Sequence, residues 1–170
     1  MKMMKIKSFM TMMVAVATFV FGMSSCSSSS DDDQTEAPLA DLVVGSYTGN
    51  EVVIVDSEES SNETKTYEFT RSQNMYVNMT IPEIGMGMMT IPSLSVKDIE
   101  LQKNGNTISG RTKDNKDYTG SVSDSQGNLK EYTVKDLTVL FSDKTVVAKF
   151  SLKYGTMPFW LSFTYTGDKK

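Results

Sequence analysis

From Val43 onward, apolar and polar residues alternate with a period of two, and turn-forming residues interrupt the alternation every 8–15 positions. No window carries a sustained helical stripe, so no helix is expected. The pattern predicts strands near 45–55, 65–71, 75–81, 94–101, 107–112, 118–123, 131–141, 145–153 and 158–166. Turn residues separate most of them, among them Ser72-Gln73-Asn74, Asn104-Gly105-Asn106, Asp114-Asn115-Lys116 and Ser142-Asp143-Lys144. The alternation is clearest late in the chain. Val146, Ala148, Phe150 and Leu152 share one face, and Phe159, Leu161, Phe163 and Tyr165 share another. Two such arms bury their apolar faces only against a common core, which points to a meander closed into a barrel, or to a sandwich.

An internal repeat supports the meander. Ser95-Val96-Lys97-Asp98-Ile99-Glu100-Leu101 recurs as Thr133-Val134-Lys135-Asp136-Leu137-Thr138-Val139. In both copies the apolar alternation slips by one residue at Lys-Asp. A strand cannot change faces without an inserted residue, so Lys97-Asp98 and Lys135-Asp136 are predicted to be β-bulges that bend their strands. The tripeptide Tyr-Thr-Gly stands at 47–49, 118–120 and 165–167, where glycine can mark a bend or a close backbone approach.

Several stretches together resemble a family. They are Gly45-Ser46-Tyr47-Thr48-Gly49, the central segment Ile84–Leu101, Asp117-Tyr118-Thr119-Gly120-Ser121 and the closing aromatic strand Met157–Tyr165. They look like the calycin-like β-barrel domains of bacterial lipoproteins. The resemblance implies an all-β fold, an antiparallel up-and-down barrel of about eight strands akin to lipocalins. Nine segments are predicted, so one is irregular or caps the barrel. Where lipocalins carry Gly-x-Trp on the first strand, this chain has Gly45-Ser46-Tyr47.

The N-terminus adds an address. Lys2, Lys5 and Lys7 precede an apolar run, Phe9–Phe21, which is shorter than the ~20 residues that cross a bilayer. Small residues and the chain's one cysteine follow. Met23-Ser24-Ser25-Cys26 resembles the lipobox of bacterial lipoproteins, where the cysteine is acylated. Residues 1–25 are therefore expected to be a lipoprotein signal peptide and Cys26 a lipid anchor. Residues 26–42, opening with Ser27–Ser30 and Asp31–Asp33, read as a disordered tether. The barrel domain is placed at 43–168. The acidic Ser-Asp run resembles the export tag of surface-exposed lipoproteins, which places the protein on the outer membrane, facing outward. Stable attachment takes two or more acyl chains.

Removing the signal takes 17 basic residues to 14 against 21 acidic, a net charge of −7. That balance excludes nucleic acid as a partner, since such binding needs clustered Lys and Arg. With no histidine and no unmodified cysteine, the usual general base, thiol nucleophile and zinc ligands are missing. Asp56, Glu58, Glu59, Asp114, Asp117, Asp124 and Asp143 read as solvated turn and surface acids. Asp98 and Asp136 read as bulge residues. No cofactor, no metal and no enzymatic activity are expected.

Methionine is the sharper signal. Met75, Met79, Met86, Met88 and Met89 cluster in sequence, the last three within Gly85–Met89. They read as core or lid packing, as an adaptable apolar surface, or as thioether ligands for Cu(I). Trp160 lies opposite the apolar face of its strand, and with Tyr76, Tyr132, Tyr154 and Phe141 it suggests an aromatic patch. The candidate ligand-binding set is Met75, Met79, Met86, Met88, Met89 and Trp160, at a barrel mouth formed by residues 82–93. The expected protein is a monomer that binds a small apolar ligand or a surface protein partner. The alternative is a structural or interaction subunit of an outer-membrane complex.

Overall fold

The computed structural model describes residues 37–87 and 89–170. Eleven strands follow a short helix α1 (Leu39–Val43). They are β1 (Gly45–Val55), β2 (Glu58–Gln73), β3 (Tyr76–Ile81), β4 (Ile84–Met86), β5 (Met89–Ile91), β6 (Leu94–Asn104), β7 (Thr107–Arg111), β8 (Tyr118–Ser123), β9 (Leu129–Ser142), β10 (Thr145–Tyr154) and β11 (Leu161–Lys169).

Eight of them close an antiparallel meander barrel in the order β1-β2-β3-β6-β7-β9-β10-β11, with β11 bonded back to β1. β8 is an extra strand that pairs only with the first half of β9, while β7 pairs with its second half. The segments predicted at 107–112 and 118–123 are thus two parts of one interrupted wall position. Between them a turn at Lys113–Asn115 carries left-handed backbone at Asp114 and Asn115.

Both predicted bulges are present. Between the pairs Val77↔Ile99 and Met79↔Val96, two β6 residues, Lys97 and Asp98, face one β3 residue, Asn78. The same kind of shift occurs in β9 at Asp136 and Leu137, opposite Phe150, one residue beyond the predicted Lys135-Asp136. Asp98 and Asp136 take left-handed backbone, φ 53° and 55°, which short polar side chains tolerate better than branched ones. At Asp98 the strain is supported locally. Its amide donates to Asn78 Oδ1 at 3.1 Å, and Ser72 Oγ donates to its Oδ1 at 2.6 Å. The bulges restore the inward face, so Leu94 and Val96 before, and Ile99 and Leu101 after, all enter the core.

The Tyr-Thr-Gly copies all mark close approaches. Gly49 and Gly167 oppose each other across β1 and β11. A Cβ on Gly49 would strike the Thr166 backbone, and one on Gly167 would strike the Tyr165 ring. The Tyr165 hydroxyl, lying over that glycine, donates to the Tyr47 carbonyl at 2.6 Å. In the third copy Gly120 makes room for the ring of Tyr132. Aromatic rings lying over strand glycines cover the backbone that glycine leaves bare.

We call the end carrying α1 and the β2–β3 turn the lower end. The end with the β1–β2 turn is the upper one. Residues 39–42, assigned to the tether on composition, instead form most of α1. A short helix forms there because tertiary contacts hold it: Ala40 and Val43 are buried, and the Ala40 amide donates to the Asn74 carbonyl at 3.1 Å. The Tyr47 hydroxyl donates to the Val43 carbonyl at 2.9 Å, and Arg71 reaches both Asp41 oxygens at 2.9 Å. At the upper end the stretch expected to be an open loop, 82–93, holds the β4–β5 hairpin. Ile84 and Ile91 pair with each other and are buried.

Aromatic side chains fill the interior in layers. Low in the barrel Phe69 packs edge-on against Tyr47 at 5.5 Å and Phe141 at 4.9 Å. Tyr67 stacks on Tyr165 at 4.0 Å, and above them Phe150 stacks on Phe163 at 4.7 Å. Burying each such side chain is worth about 1.5–3 kcal/mol, with up to about 1.5 more for a well-placed ring pair.

Candidate functional site

The inward face of β1 reads Tyr47, Gly49, Glu51, Val53, so alternation carries a carboxylate into the barrel. Glu51 is wholly buried. The Tyr67 hydroxyl donates to its Oε2 at 2.6 Å, while Oε1 has no hydrogen-bond partner among the described residues. Burial pushes the Glu51 carboxyl above its ordinary range. The Tyr67 bond and the Lys65 charge hold the rise back, and the Glu63 charge adds to it. Tyr67 is lifted well above a normal phenol, first by burial and then by the Glu51 charge and hydrogen bond. Burial is also the main reason that Tyr165 is pushed up to about 12. The three groups form a buried polar centre in an aromatic interior, with Tyr67 bonded to Glu51 and stacked on Tyr165. Sequence reading passed over Glu51, although its parity with Tyr47 and Val53 was visible.

Of several surface clefts, two are lined in part by β6. One, of about 360 Å³, runs where β6 and β8 stand side by side with no ladder between them, and Tyr118, Tyr132, Ser95 and Lys97 are among its lining residues. Tyr132 bridges this seam. Its hydroxyl donates to the Ser95 carbonyl at 2.6 Å and accepts from the Ser95 amide at 3.2 Å, taking the place of a strand partner. The Tyr118 hydroxyl meets the Lys97 backbone, and burial raises its pKa. A second cleft, of about 520 Å³, lies lower, near Met75, Gln102, Ser109 and Arg111. No group of three or more acidic, histidine or cysteine side chains lies close enough together to hold a metal among the described residues.

The structure does not gather the sequence-predicted ligand set in one place. Met79 is fully buried in the core, and Met75 is half-exposed at the lower β2–β3 turn. Met86 and Met89 pair across the β4–β5 hairpin and pack partly against the core, which fits lid packing. Met88 and Cys26 lie outside the described residues, as does the expected signal segment 1–25. Trp160 sits half-buried on the outer wall with Lys135 Nζ 4.1 Å from its ring centre and Lys153 at 6.0 Å. Tyr132 and Tyr154 are buried opposite each other across β9 and β10, while Phe141 is buried near the other end of β9. With Trp160 on the outer wall, the expected aromatic patch does not form as one surface. Asp98 and Asp136 are both exposed.

No protein-family model matches the chain, and no curated protein matches it. Among solved structures it is similar to a "putative outer membrane protein" from Bacteroides fragilis, at 19% identity and a TM-score of 0.60. The match covers 78% of this chain and 53% of the other, so the chain spans about half that protein's length. At this identity the likeness is one of fold.

Proposed function

We propose that this chain is a calycin-like lipoprotein, anchored to the outer membrane through Cys26, whose barrel acts without catalysis by binding a partner protein on its outer surface. The observation that carries the reading is the filled interior. Rings of Tyr47, Tyr67, Phe69, Phe141, Phe150, Phe163 and Tyr165 occupy it, α1 covers one end, and Ile84 and Ile91 of the hairpin are buried at the other. An eight-stranded barrel holds either its own side chains or one small ligand. With the first option taken, an apolar ligand would have to displace the β4–β5 hairpin. The similar Bacteroides fragilis structure, whose name refers to the outer membrane, supports the location.

The test has two arms. Affinity capture from outer membranes is expected to recover a partner in near-stoichiometric amount. Incubation with a lipid mixture followed by gel filtration and mass spectrometry is expected to recover nothing bound. A lipid that co-elutes, with no protein captured, would replace this reading by the small-ligand one. Metabolic labelling with palmitate, lost in Cys26→Ala, checks the anchor.

A further inference from the structure

The wall of the barrel is incomplete on one side of β2. Over Glu58–Thr66 this strand is bonded to β1, and no other described strand pairs with it. Its pairing with β3 begins only at Glu68↔Thr80. β3 stops because Ile81 is followed by Pro82, which lacks an amide and turns the chain away into the β4–β5 hairpin. Strands rise about 3.3 Å per residue, so the free edge is roughly 30 Å long. It presents a row of backbone donors and acceptors without a strand to receive them, and such a row is a template for an added strand.

Its charge is one-sided. Glu58, Glu59 and Glu63 lie along the edge and are exposed, with Asp56 in the adjoining turn and Glu83 exposed nearby. The edge's one cation, Lys65, is already engaged, 2.8 Å from Glu63 and donating to the Glu83 carbonyl at 3.1 Å. Two copies of this chain paired edge to edge would set these carboxylates against each other, and like charges directly opposite are destabilising. The charges that deter self-pairing suit a strand of opposite sign.

We infer that the β2 edge from Glu58 to Thr66 is a strand-addition site for an extended, lysine- or arginine-bearing segment of a partner protein. The inference rests on the partner-binding reading above and names the surface and the chemistry of that partner. Main-chain hydrogen bonds supply affinity in this mode, and alternate side chains supply selectivity.

A synthetic peptide alternating lysine and valine is the probe, with a glutamate–valine peptide as its counterpart. On the intact protein, the basic peptide is expected to slow amide exchange across 58–66 by about tenfold or more, and the acidic one to leave it unchanged. The triple variant Glu58→Lys, Glu59→Lys, Glu63→Lys changes only exposed side chains and is expected to reverse the preference. Binding without protection of these amides would reduce the effect to charge attraction and overturn strand addition. Concentration-dependent dimerisation that protects the same amides would assign the edge to a second copy instead. If membrane capture recovers the same partner with the triple variant, the edge assignment fails while the partner-binding reading stands. If no partner is captured by the parent, the broader reading fails first.

Discussion

The lower and upper halves of the barrel are built from the same alternating strands but arrive at different ends. Below, β2 is bonded on both sides, and Tyr47, Phe69 and Phe141 interlock over α1. Above, β3 ends early and leaves β2 without a described strand on one side, and β8 stands apart from β6 across a seam that Tyr132 bridges. Glu51 lies at the boundary, where an acid has been carried indoors by strand parity. The difference shows where stability resides and where the backbone remains open to a partner. Interlocked rings over α1 close the lower half, whereas the upper half combines apolar packing with individual polar contacts.

The strongest way to break the contrast is in the lower layer. Phe69→Ala removes the ring shared by Tyr47 and Phe141 and is expected to cost about 3–5 kcal/mol in denaturant unfolding. A loss no larger than that of an upper-half hydrogen bond would erase the distinction. At the seam, Tyr132→Phe leaves Ser95 without its bridge and should cost about 1–2 kcal/mol. Hydrogen exchange should then quicken at the Ser95 amide while Val134 stays protected.

The two bulges sharpen the comparison at the waist. Asp98→Ala places alanine in left-handed backbone and loses the Ser72 bond, for an expected cost of about 1–2 kcal/mol. Asp98→Gly should recover part of it. Asp136→Ala should lose less than Asp98→Ala, because among the described residues no side-chain bond to Asp136 matches the one Ser72 makes to Asp98.

The smallest effect has the opposite sign. Because burial raises the Glu51 carboxyl in the fold, ionising it disfavours the folded state. The parent is therefore relatively most stable below the unfolded carboxyl value of about 4.3, and loses that contribution as pH rises through the raised folded value. Glu51→Gln is expected to unfold at a higher temperature than the parent at pH 8 and at the same temperature near pH 4. Thermal scans at the two pH values decide it. A glutamine variant less stable at pH 8 would mean that the carboxylate is charged and compensated in the fold.

Much of this architecture was readable beforehand. Strands 45–55 and 118–123 fall where alternation places them, and both Lys-Asp slips are bulges, because a period-two pattern cannot change phase without an inserted residue. The β4–β5 hairpin was missed because three-residue strands are too short to show a period. Helix α1 was missed because five residues carry no helical stripe and depend on Asn74 and Tyr47 from other elements. The methionine cluster was misleading as a ligand set for a related reason. Nearness along the chain says little once Met75 turns at one end and Met86 sits on a hairpin at the other.

Local chemistry along the chain was enough to determine which residues face inward, where strands bend, and that every wall is antiparallel. These depend on side-chain parity and turn propensity, which act over a few residues. Only the folded barrel decided that the middle is filled with rings and that, among the described residues, Glu51 has one unpaired oxygen and nine residues of β2 have no strand partner on one side. Those outcomes depend on how strands far apart in the chain match in length and register when the sheet closes, and no short stretch of sequence contains that information.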